Sequence, residues 1–436
     1  MQTRQIDSPW APVSVHEDGG LIHARGIPYA EARRFAPPEP ISTPVGVVDA
    51  TRRGPVCPQR PSRLEFVTGP VVDRLASSER CQVLSVTAPV DAAGLPVMVW
   101  FHGGAYVAGG GEAAGYDPDL LVGEGGVVVV TVTYRLGLLG YLNLHDPGTE
   151  NLGLRDQLCA LQWVRDNIAA FGGDPQRVTV FGQSAGGDSA MSLLLCPEAA
   201  GLFSRAILQS APLGLRGSRT ALTAAMREAA TAALAGTPAA QASTEELLDA
   251  QAAAAAVGPR FGLLGLMPFA PLMNHAPLPP ESDVDERLAD AATRVEILVG
   301  YTRDDAMPFV VLSSRGARLW RLGPIGRAAV SVAARRATHR IFGRGAIDLA
   351  RTWRAAGGRA VTFRVDWSPP GAPLGACHCI DLPLLFANPG VWSGAPMLGS
   401  DPDALYEGPG RAMRLSWSTF ARDGAAGLPA GTLRIR

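Results

Sequence analysis

The chain contains no lysine, and all 39 of its lysine-or-arginine positions are arginine. Schiff-base chemistry, a Walker-type phosphate loop, a kinase active site and a serine–lysine dyad each need a lysine, so the sequence excludes all of them. Positive charge is not in excess either, since 40 acidic residues leave a net charge of −1. With no basic field to attract polyanions, we expect neither nucleic acid nor an anionic membrane surface as a partner.

Long apolar runs are also missing from the chain. No segment reaches the roughly 18 consecutive apolar residues that a membrane-spanning helix requires, so no membrane span is predicted. The first 20 residues, MQTRQIDSPWAPVSVHEDGG, contain no apolar stretch of the secretory type. The expected location is therefore the cytoplasm, although these residues leave secretion open.

Cysteine is scarce as well, with six residues and no pair at the Cys-x-x-Cys spacing of zinc or dithiol redox motifs. Cys377 and Cys379 flank a histidine, but no fourth metal ligand is evident. We therefore expect no bound metal and no cofactor. Sensitivity of the protein to thiol reagents is the expected consequence of these two thiols.

Strand and helix patterns alternate along the chain, which favours an α/β fold with a mostly parallel sheet and helices on both faces. Continuous apolar runs at residues 96–101 and 127–134 are typical of strands buried on both faces. A helix is predicted in LRDQLCALQWVRDNIAAFGG, where apolar residues recur every three or four positions until Gly172. Further strands are predicted at residues 177–182, 205–210, 296–301 and 360–367.

An alanine-rich block from about residue 222 to 257 interrupts this alternation. We interpret the block as two or three helices that lie over the sheet, within a helical cap at about residues 215–292. The chain has no solenoid-type repeat and no long serine- or glycine-rich linker. A single domain is therefore predicted over residues 1–436.

The stretch VTVFGQSAGGDSAMSLLLC joins a predicted strand to an apolar helical pattern through Gly-Gln-Ser-Ala-Gly. In a chain with 50 glycines this short motif arises by chance often enough that spacing alone decides nothing. Its context favours a function, because a sharp strand-to-helix turn presents one side chain and needs small neighbours such as Gly182 and Gly186. Ser184 is therefore a candidate nucleophile at the carboxyl edge of the sheet.

A second glycine-rich loop, HGGAYVAGGG, follows the strand predicted to end at Phe101. Taken alone, it is as readily a plain connection between a strand and a helix. Together with the serine turn it predicts an oxyanion hole, formed by the backbone N–H groups of Gly104, Ala105 and Ala185. The next residues of the loop, Tyr106 and Val107, are then expected to contact the substrate.

A serine hydroxyl needs a base to take its proton, so a histidine is required. In this kind of fold the acid and then the histidine follow the serine along the chain, which leaves His275, His339 and His378. His378 follows a predicted strand and is the candidate base. The other two lie in proline-rich and arginine-rich surroundings and are interpreted as surface residues.

The acid is expected in a loop directly after a strand that lies between the serine and the histidine. Asp304 and Asp305 both come directly after the strand predicted at residues 296–301. The residues by themselves leave open which of the two carboxylates meets the imidazole.

With these residues in place, the chain resembles the type-B carboxylesterases, a family that includes the cholinesterases and several bacterial esterases. The resemblance is dense from about residue 26 to 212 and sporadic afterwards. It is carried by RGIPYA, RRFAPPEP, VMVWFHGGAYVAG, VVVVTVTYRLGLLGYL and ENLGLRDQLCALQWVRDNIAAFGGDPQRVTVFGQSAGG. It implies an α/β-hydrolase fold and hydrolysis of small-molecule carboxylic esters through an acyl-enzyme intermediate.

The resemblance also implies the role of each site residue. The triad and the oxyanion donors correspond to Ser184, Asp305, His378, Gly104, Ala105 and Ala185. Asp305 stands where the family usually has a longer glutamate, so the backbone must approach His378 more closely, and Asp304 remains the alternative acid. Asn274, His275 and the short segment between acid and base depart from the family pattern and predict a more open or differently shaped acyl pocket.

Several structural features are implied in the same way. Arg34 is expected to pair with Glu79, and Arg135 with Asp156, as ion pairs that hold the fold. Cys57 and Cys81 stand where many relatives form a disulfide, which would add about 3 kcal/mol in an oxidising compartment. In a reducing compartment they would be a thiol pair, and the sequence does not choose.

Two other functions compete with simple ester hydrolysis. One is a lactonase, thioesterase or transacylase that acts on a specialised metabolite with the same triad. The other is a non-catalytic binding module, which this fold also supports. The second is disfavoured because Ser184, Asp305 and His378 are all present.

Overall fold

The computed structural model describes residues 2–42, 44, 46–146, 149–399 and 405–436. The strands in the described chain are β1 (Gln2–Asp7), β2 (Pro12–Asp18), β3 (Leu21–Pro28), β4 (Ala30–Glu31), β5 (Glu39–Pro40), β6 (Val48–Asp49), β7 (Val83–Pro89), β8 (Leu95–Phe101), β9 (Val128–Val132), β10 (Gly173–Gln183), β11 (Arg205–Gln209), β12 (Glu296–Thr302), β13 (Ala360–Val365) and β14 (Thr432–Ile435). The α-helices are α1 (Glu65–Thr68), α2 (Asp119–Gly125), α3 (Gly137–Tyr141), α4 (Leu152–Asn167), α5 (Ala185–Leu195), α6 (Thr220–Ala233), α7 (Thr244–Ala256), α8 (Val284–Ala292), α9 (Met307–Leu312), α10 (Ser314–Trp320), α11 (Gly323–Thr338), α12 (Arg344–Ala355), α13 (Asp381–Phe386), α14 (Pro389–Trp392) and α15 (Gly408–Asp423).

Within the described residues, 12 strands form one sheet in the order β1-β2-β3-β7-β9-β8-β10-β11-β12-β13-β14, with β6 beside β2. Every neighbouring pair from β9 to β14 is parallel, as the sequence predicted. The strands that lead from β1 to β9 pair antiparallel. Sequence analysis did not predict the strands β1 to β7 or β14. Among these, β1 has the polar sequence QTRQID, which carries no apolar run to reveal a strand.

The centre of the sheet is buried on both faces. In β8, Val97, Val99 and Phe101 belong to one hydrophobic cluster, and Met98 and Trp100 belong to a second. Successive side chains of a strand point to opposite faces, so the sheet separates the two clusters. This double burial explains why the central strands read as continuous apolar runs.

Three helices lie in the range predicted as a cap. α6 and α7 pack against each other, whereas α8 packs against α5, the helix that follows Ser184. The single domain and the cap at about residues 215–292 stay predictions. No helix in the described part of the chain combines the length and apolar character needed to cross a membrane.

Both expected ion pairs are confirmed. Arg135 donates to Asp156 through Nε at 2.9 Å and through Nη2 at 2.7 Å, and both side chains are buried. Arg34 contacts Glu79 in a more exposed position, with an Nε–Oε2 distance of 2.8 Å. Each pair joins segments that are distant in the chain, which agrees with a role in holding the fold.

Cys57 and Cys81 are buried, free thiols in this structure. A hydrogen bond between the two thiols, together with burial, raises the pKa of Cys81 well above its ordinary value. Cys57 and Cys81, which the family resemblance places together, therefore do lie side by side, and both are free thiols.

Candidate active site

Ser184 occupies the turn between β10 and α5. Its backbone has φ 58° and ψ −121°, a conformation that residues other than glycine rarely adopt. Its N–H donates to the carbonyl of Gln209 at 2.8 Å, and its carbonyl accepts from Asp188 N–H at 2.9 Å. A Cβ atom at Gly186 would lie 1.9 Å from the carbonyl oxygen of Phe101, so only glycine fits there. The motif therefore forms the sharp turn that the sequence predicted.

His378 lies against Asp305, with 2.5 Å between Nδ1 and Oδ1, and both side chains are buried. The other Asp305 oxygen accepts from the Ser210 hydroxyl at 2.7 Å and from Thr302 N–H at 3.0 Å. In a neutral imidazole, a carboxylate beside Nδ1 favours the tautomer that carries its proton there, and Nε2 is then the acceptor. The Gln183 side-chain nitrogen lies 3.3 Å from this Nε2 and can donate to it.

Asp304 has a different function in the structure from its neighbour. Its carboxylate accepts from Ala376 N–H at 3.1 Å and pairs with Arg303 at 2.9 Å. Its own N–H donates to the Ala376 carbonyl at 2.9 Å. Asp304 thus fastens the loop before His378 to the end of β12, while Asp305 meets the imidazole.

The loop after β8 has an unusual backbone. Gly104, Ala105 and Tyr106 all have positive φ angles, of 116°, 55° and 60°. A Cβ atom at Gly104 would lie 1.9 Å from the carbonyl oxygen of Ala108, which excludes other residues. The N–H groups of Gly104, Ala105 and Ala185 donate to no acceptor in the described part of the chain. They are therefore free to bind an oxyanion.

His102 begins this loop and is buried. Burial lowers its pKa to about 4, so the imidazole is neutral at physiological pH. Its ring stacks on Tyr134 with 4.4 Å between centroids, and the Tyr134 hydroxyl donates to the His102 carbonyl at 2.7 Å. These contacts anchor the start of the loop without placing a charge there.

Tyr106 does not lie where the sequence predicted. Val107 lines the cavity beside Ser184, but Tyr106 is buried behind the loop. Its hydroxyl donates to Asp188 at 2.9 Å and accepts from Ser189 at 3.3 Å. Contrary to the prediction of a substrate contact, Tyr106 supports the loop from behind, because its side chain is buried and bonded to the helix that follows Ser184.

A cavity of about 200 Å³ connects these groups. Its walls include Ser184, His378, Gly104 and Ala105. The remaining surface is mostly apolar and includes Leu64, Pro212, Leu215, Leu266, Met267, Phe309, Ile341 and Phe342. The arrangement suits an apolar acyl group whose carbonyl carbon rests near the serine.

The cysteines beside His378 are less reactive than their position suggests. Burial raises the pKa of Cys377 and of Cys379, so both remain thiols at neutral pH. Because the thiolate is the reactive form, the expected sensitivity to thiol reagents loses its basis. Among the described residues, no three His, Cys, Asp or Glu side chains are grouped so that they could hold a metal.

Sequence analysis missed three residues that touch the proposed base or acid. Gln183 directly precedes Ser184, while Ser210 and Thr302 stand at the carboxyl ends of β11 and β12. In parallel sheets this edge carries the functional groups. Polar residues at the ends of neighbouring strands were the signal available in the sequence.

Comparisons with known proteins agree with this geometry. The model of the carboxylesterase family matches residues 15–319. A probable N-octanoylanthranilate hydrolase of Rhodococcus erythropolis is 40% identical over 417 residues, which cover 94% of this chain and 91% of that protein. The para-nitrobenzyl esterase of Bacillus subtilis (strain 168) is 35% identical over 88% of this chain and 83% of its own length.

Solved structures give the same result. A thermophilic para-nitrobenzyl esterase superposes with a TM-score of 0.82 at 30% identity, covering 99% of this chain and 96% of that one. A Geobacillus stearothermophilus carboxylesterase superposes with a TM-score of 0.80 at 33% identity, covering 98% and 93%. The predicted α/β-hydrolase fold and serine carboxylic ester hydrolase activity are confirmed. The chain belongs to the carboxylesterase family.

Proposed function

We propose that Ser184, His378 and Asp305 are the catalytic triad of this ester hydrolase. Nε2 of His378 takes the proton of the Ser184 hydroxyl as its oxygen attacks the ester carbonyl. The imidazolium then gives this proton to the departing alcohol oxygen, and the acyl group stays on Ser184. Asp305 holds the proton on Nδ1 and stabilises the charged imidazole.

The negative charge on the carbonyl oxygen is bound by the N–H groups of Gly104, Ala105 and Ala185. Each such donor contributes roughly 2.7–4 kcal/mol of barrier lowering. In the second step a water molecule gives a proton to His378 and attacks the acyl carbon. The proton returns to Ser184 as the carboxylic acid leaves, so the enzyme is regenerated.

One observation carries the proposal. His378 is held by Asp305 at 2.5 Å and lines the cavity that Ser184, Gly104 and Ala105 also line. A nucleophile, a base with its supporting acid, and oxyanion donors therefore surround one apolar space.

The test is hydrolysis of 4-nitrophenyl butyrate by Ser184→Ala. We expect kcat to fall by about 10⁴-fold or more, and labelling by a fluorophosphonate to be lost. Ser416→Ala is the control, since Ser416 does not line the cavity and its hydroxyl donates, among the described residues, only to the Ala412 carbonyl of its own helix α15. Wild-type turnover by a folded Ser184→Ala protein would contradict the proposal.

A second candidate substrate class is the N-acylated aromatic amine. The relative named as a probable N-octanoylanthranilate hydrolase covers nearly the whole chain at 40% identity. The same triad cleaves an amide if His378 protonates the leaving nitrogen. Assays of N-octanoylanthranilate beside 4-nitrophenyl octanoate test this. A kcat/KM for the amide within about 10²-fold of that for the activated ester would favour the specialised substrate, and undetectable amide turnover would favour simple esters.

A further inference from the structure

Arg63 stands at the rim of the active-site cavity. It lines the cavity with Leu64 and Leu266, and its side chain keeps surface exposed to solvent. Its Nη2 donates to the Leu266 carbonyl at 2.7 Å, which fixes the guanidinium at this position. A cation is thus held beside a space whose walls are otherwise mostly apolar.

No acidic side chain in the described part of the chain forms an ion pair with Arg63. The Leu266 carbonyl is its one hydrogen-bond acceptor among the described residues, although a guanidinium has five N–H donors. The protein packed around it lowers the pKa of Arg63. Guanidinium N–H groups that meet no other acceptor among the described residues, at the rim of an apolar cavity, are suited to bind an anion.

The position of Arg63 relative to the imidazole indicates where such an anion would sit. The guanidinium lies over the Phe309 ring, 5.5 Å from its centroid. The Phe309 ring in turn meets His378 edge-on, with 5.1 Å between centroids. Because His378 delivers its proton to the leaving atom, the leaving group departs on the imidazole side. Arg63 is therefore on the leaving-group side of the cavity.

We propose that Arg63 binds a carboxylate carried by the leaving group of the substrate. The preferred substrates are then acyl derivatives of an aromatic or similarly compact acid that bears a hydroxyl or an amine. The apolar walls take the acyl chain, the triad cleaves the bond, and the guanidinium holds the carboxylate. This inference rests on the proposed function, since it assumes that His378 protonates the leaving group.

The test compares 2-(butanoyloxy)benzoate with its methyl ester, which differ in the charge of the leaving group. In Arg63→Gln we expect kcat/KM for the carboxylate ester to fall about tenfold further than kcat/KM for the methyl ester. Arg63→Lys should recover part of this difference. Arg60→Gln is the matched control, because Arg60 belongs to the same segment but pairs with Glu245 and Asp249 outside the cavity.

A purely structural role for Arg63 makes different predictions. It would lower both kcat/KM values equally, and that result would overturn the proposal. Rising ionic strength should raise KM for the carboxylate ester in the wild-type protein and much less in Arg63→Gln. If the wild-type protein cleaves 4-nitrophenyl butyrate but prefers the methyl ester to the carboxylate ester, the Arg63 proposal fails and the triad stands. If it cleaves none of the three, the proposed function itself fails.

Discussion

The serine side of the cavity is positioned by backbone geometry, whereas the histidine side is positioned by side-chain hydrogen bonds. Ser184, Gly104 and Ala105 all have positive φ angles and sit in turns directly after β10 and β8. His378, in contrast, depends on Asp305, which is itself held by other polar groups from separate strands. One side is built by short stretches of chain, and the other by contacts across the sheet.

This difference predicts how each side fails. On the serine side a single added methyl group collides with backbone atoms, as at Gly104 and Gly186, so the backbone itself must shift. On the histidine side a change of one functional group leaves the backbone in place and alters only the imidazole. Substitutions on the serine side should therefore lower kcat by displacing the backbone. Substitutions on the histidine side should lower kcat by changing the hydrogen bonding and charge of the imidazole.

Asp305→Asn should give the largest effect, a fall in kcat of about 10⁴-fold, because an amide no longer holds the proton on Nδ1 of His378. The matched control is Asp304→Asn, which alters the adjacent carboxylate that fastens the loop at Ala376. We expect Asp304→Asn to lower thermal stability and to reduce kcat less than tenfold. Steady-state kinetics with 4-nitrophenyl butyrate and thermal unfolding measure both. Equal losses in kcat would show that the two carboxylates share one function.

Gly104→Ala tests the backbone side. The new Cβ would meet the Ala108 carbonyl at 1.9 Å, and φ is 116°, so the loop must shift away from the substrate. We expect kcat to fall roughly 10²–10³-fold through loss of oxyanion donors. Gly123→Ala in α2 is the control, since nothing lies within 4 Å of its Cβ position. Unchanged kcat in Gly104→Ala would contradict the assignment of this loop.

Asp381 is a buried carboxyl near His378, and its titration should change the stability of the protein with pH. Burial raises its pKa from 3.8 to about 6, while Gln209 donates to it at 2.9 Å. Below about pH 3 the carboxyl is neutral in both folded and unfolded chains. As pH rises towards 7, the folded chain must hold a poorly solvated charge and loses about 2–3 kcal/mol of unfolding free energy.

Asp381→Asn removes this titration. The difference in unfolding free energy between the wild-type protein and the variant should therefore change by about 2–3 kcal/mol between pH 4 and pH 7, in favour of the variant. Urea unfolding at both pH values measures it. Parallel stability profiles would mean that Asp381 titrates normally.

Tyr106→Phe should have the smallest effect on activity of these variants, because it removes a side-chain hydrogen bond from the serine side and leaves the backbone turn in place. The variant loses the hydroxyl that donates to Asp188 at 2.9 Å but keeps the ring and the backbone turn. We expect a loss of about 1–2 kcal/mol in stability and less than a threefold change in kcat/KM. Urea unfolding and ester kinetics measure these. A tenfold loss in kcat/KM would return Tyr106 to the substrate-binding role predicted from sequence.

Sequence reasoning succeeded where a signal is local. The strand predicted at residues 296–301 is present as β12. The glycines around Ser184 predicted the turn that the structure shows between β10 and α5. It failed for β1, which is polar, and for Tyr106, whose loop turns the side chain inward. The residues by themselves left Asp304 and Asp305 open as the acid, and the family resemblance favoured Asp305, which is the carboxylate that meets His378.

The order of residues by itself determined the chemistry this chain can and cannot perform. The absence of lysine excludes several chemistries, and Gly-Gln-Ser-Ala-Gly between a strand and a helix predicts a serine nucleophile on a sharp turn. The tertiary structure decided which carboxylate meets His378 and that Arg63 lies at the rim of a mostly apolar cavity. These depend on the direction of side chains from segments far apart in the chain. Such directions are set by how the sheet and its loops pack, a property that no short stretch of residues encodes.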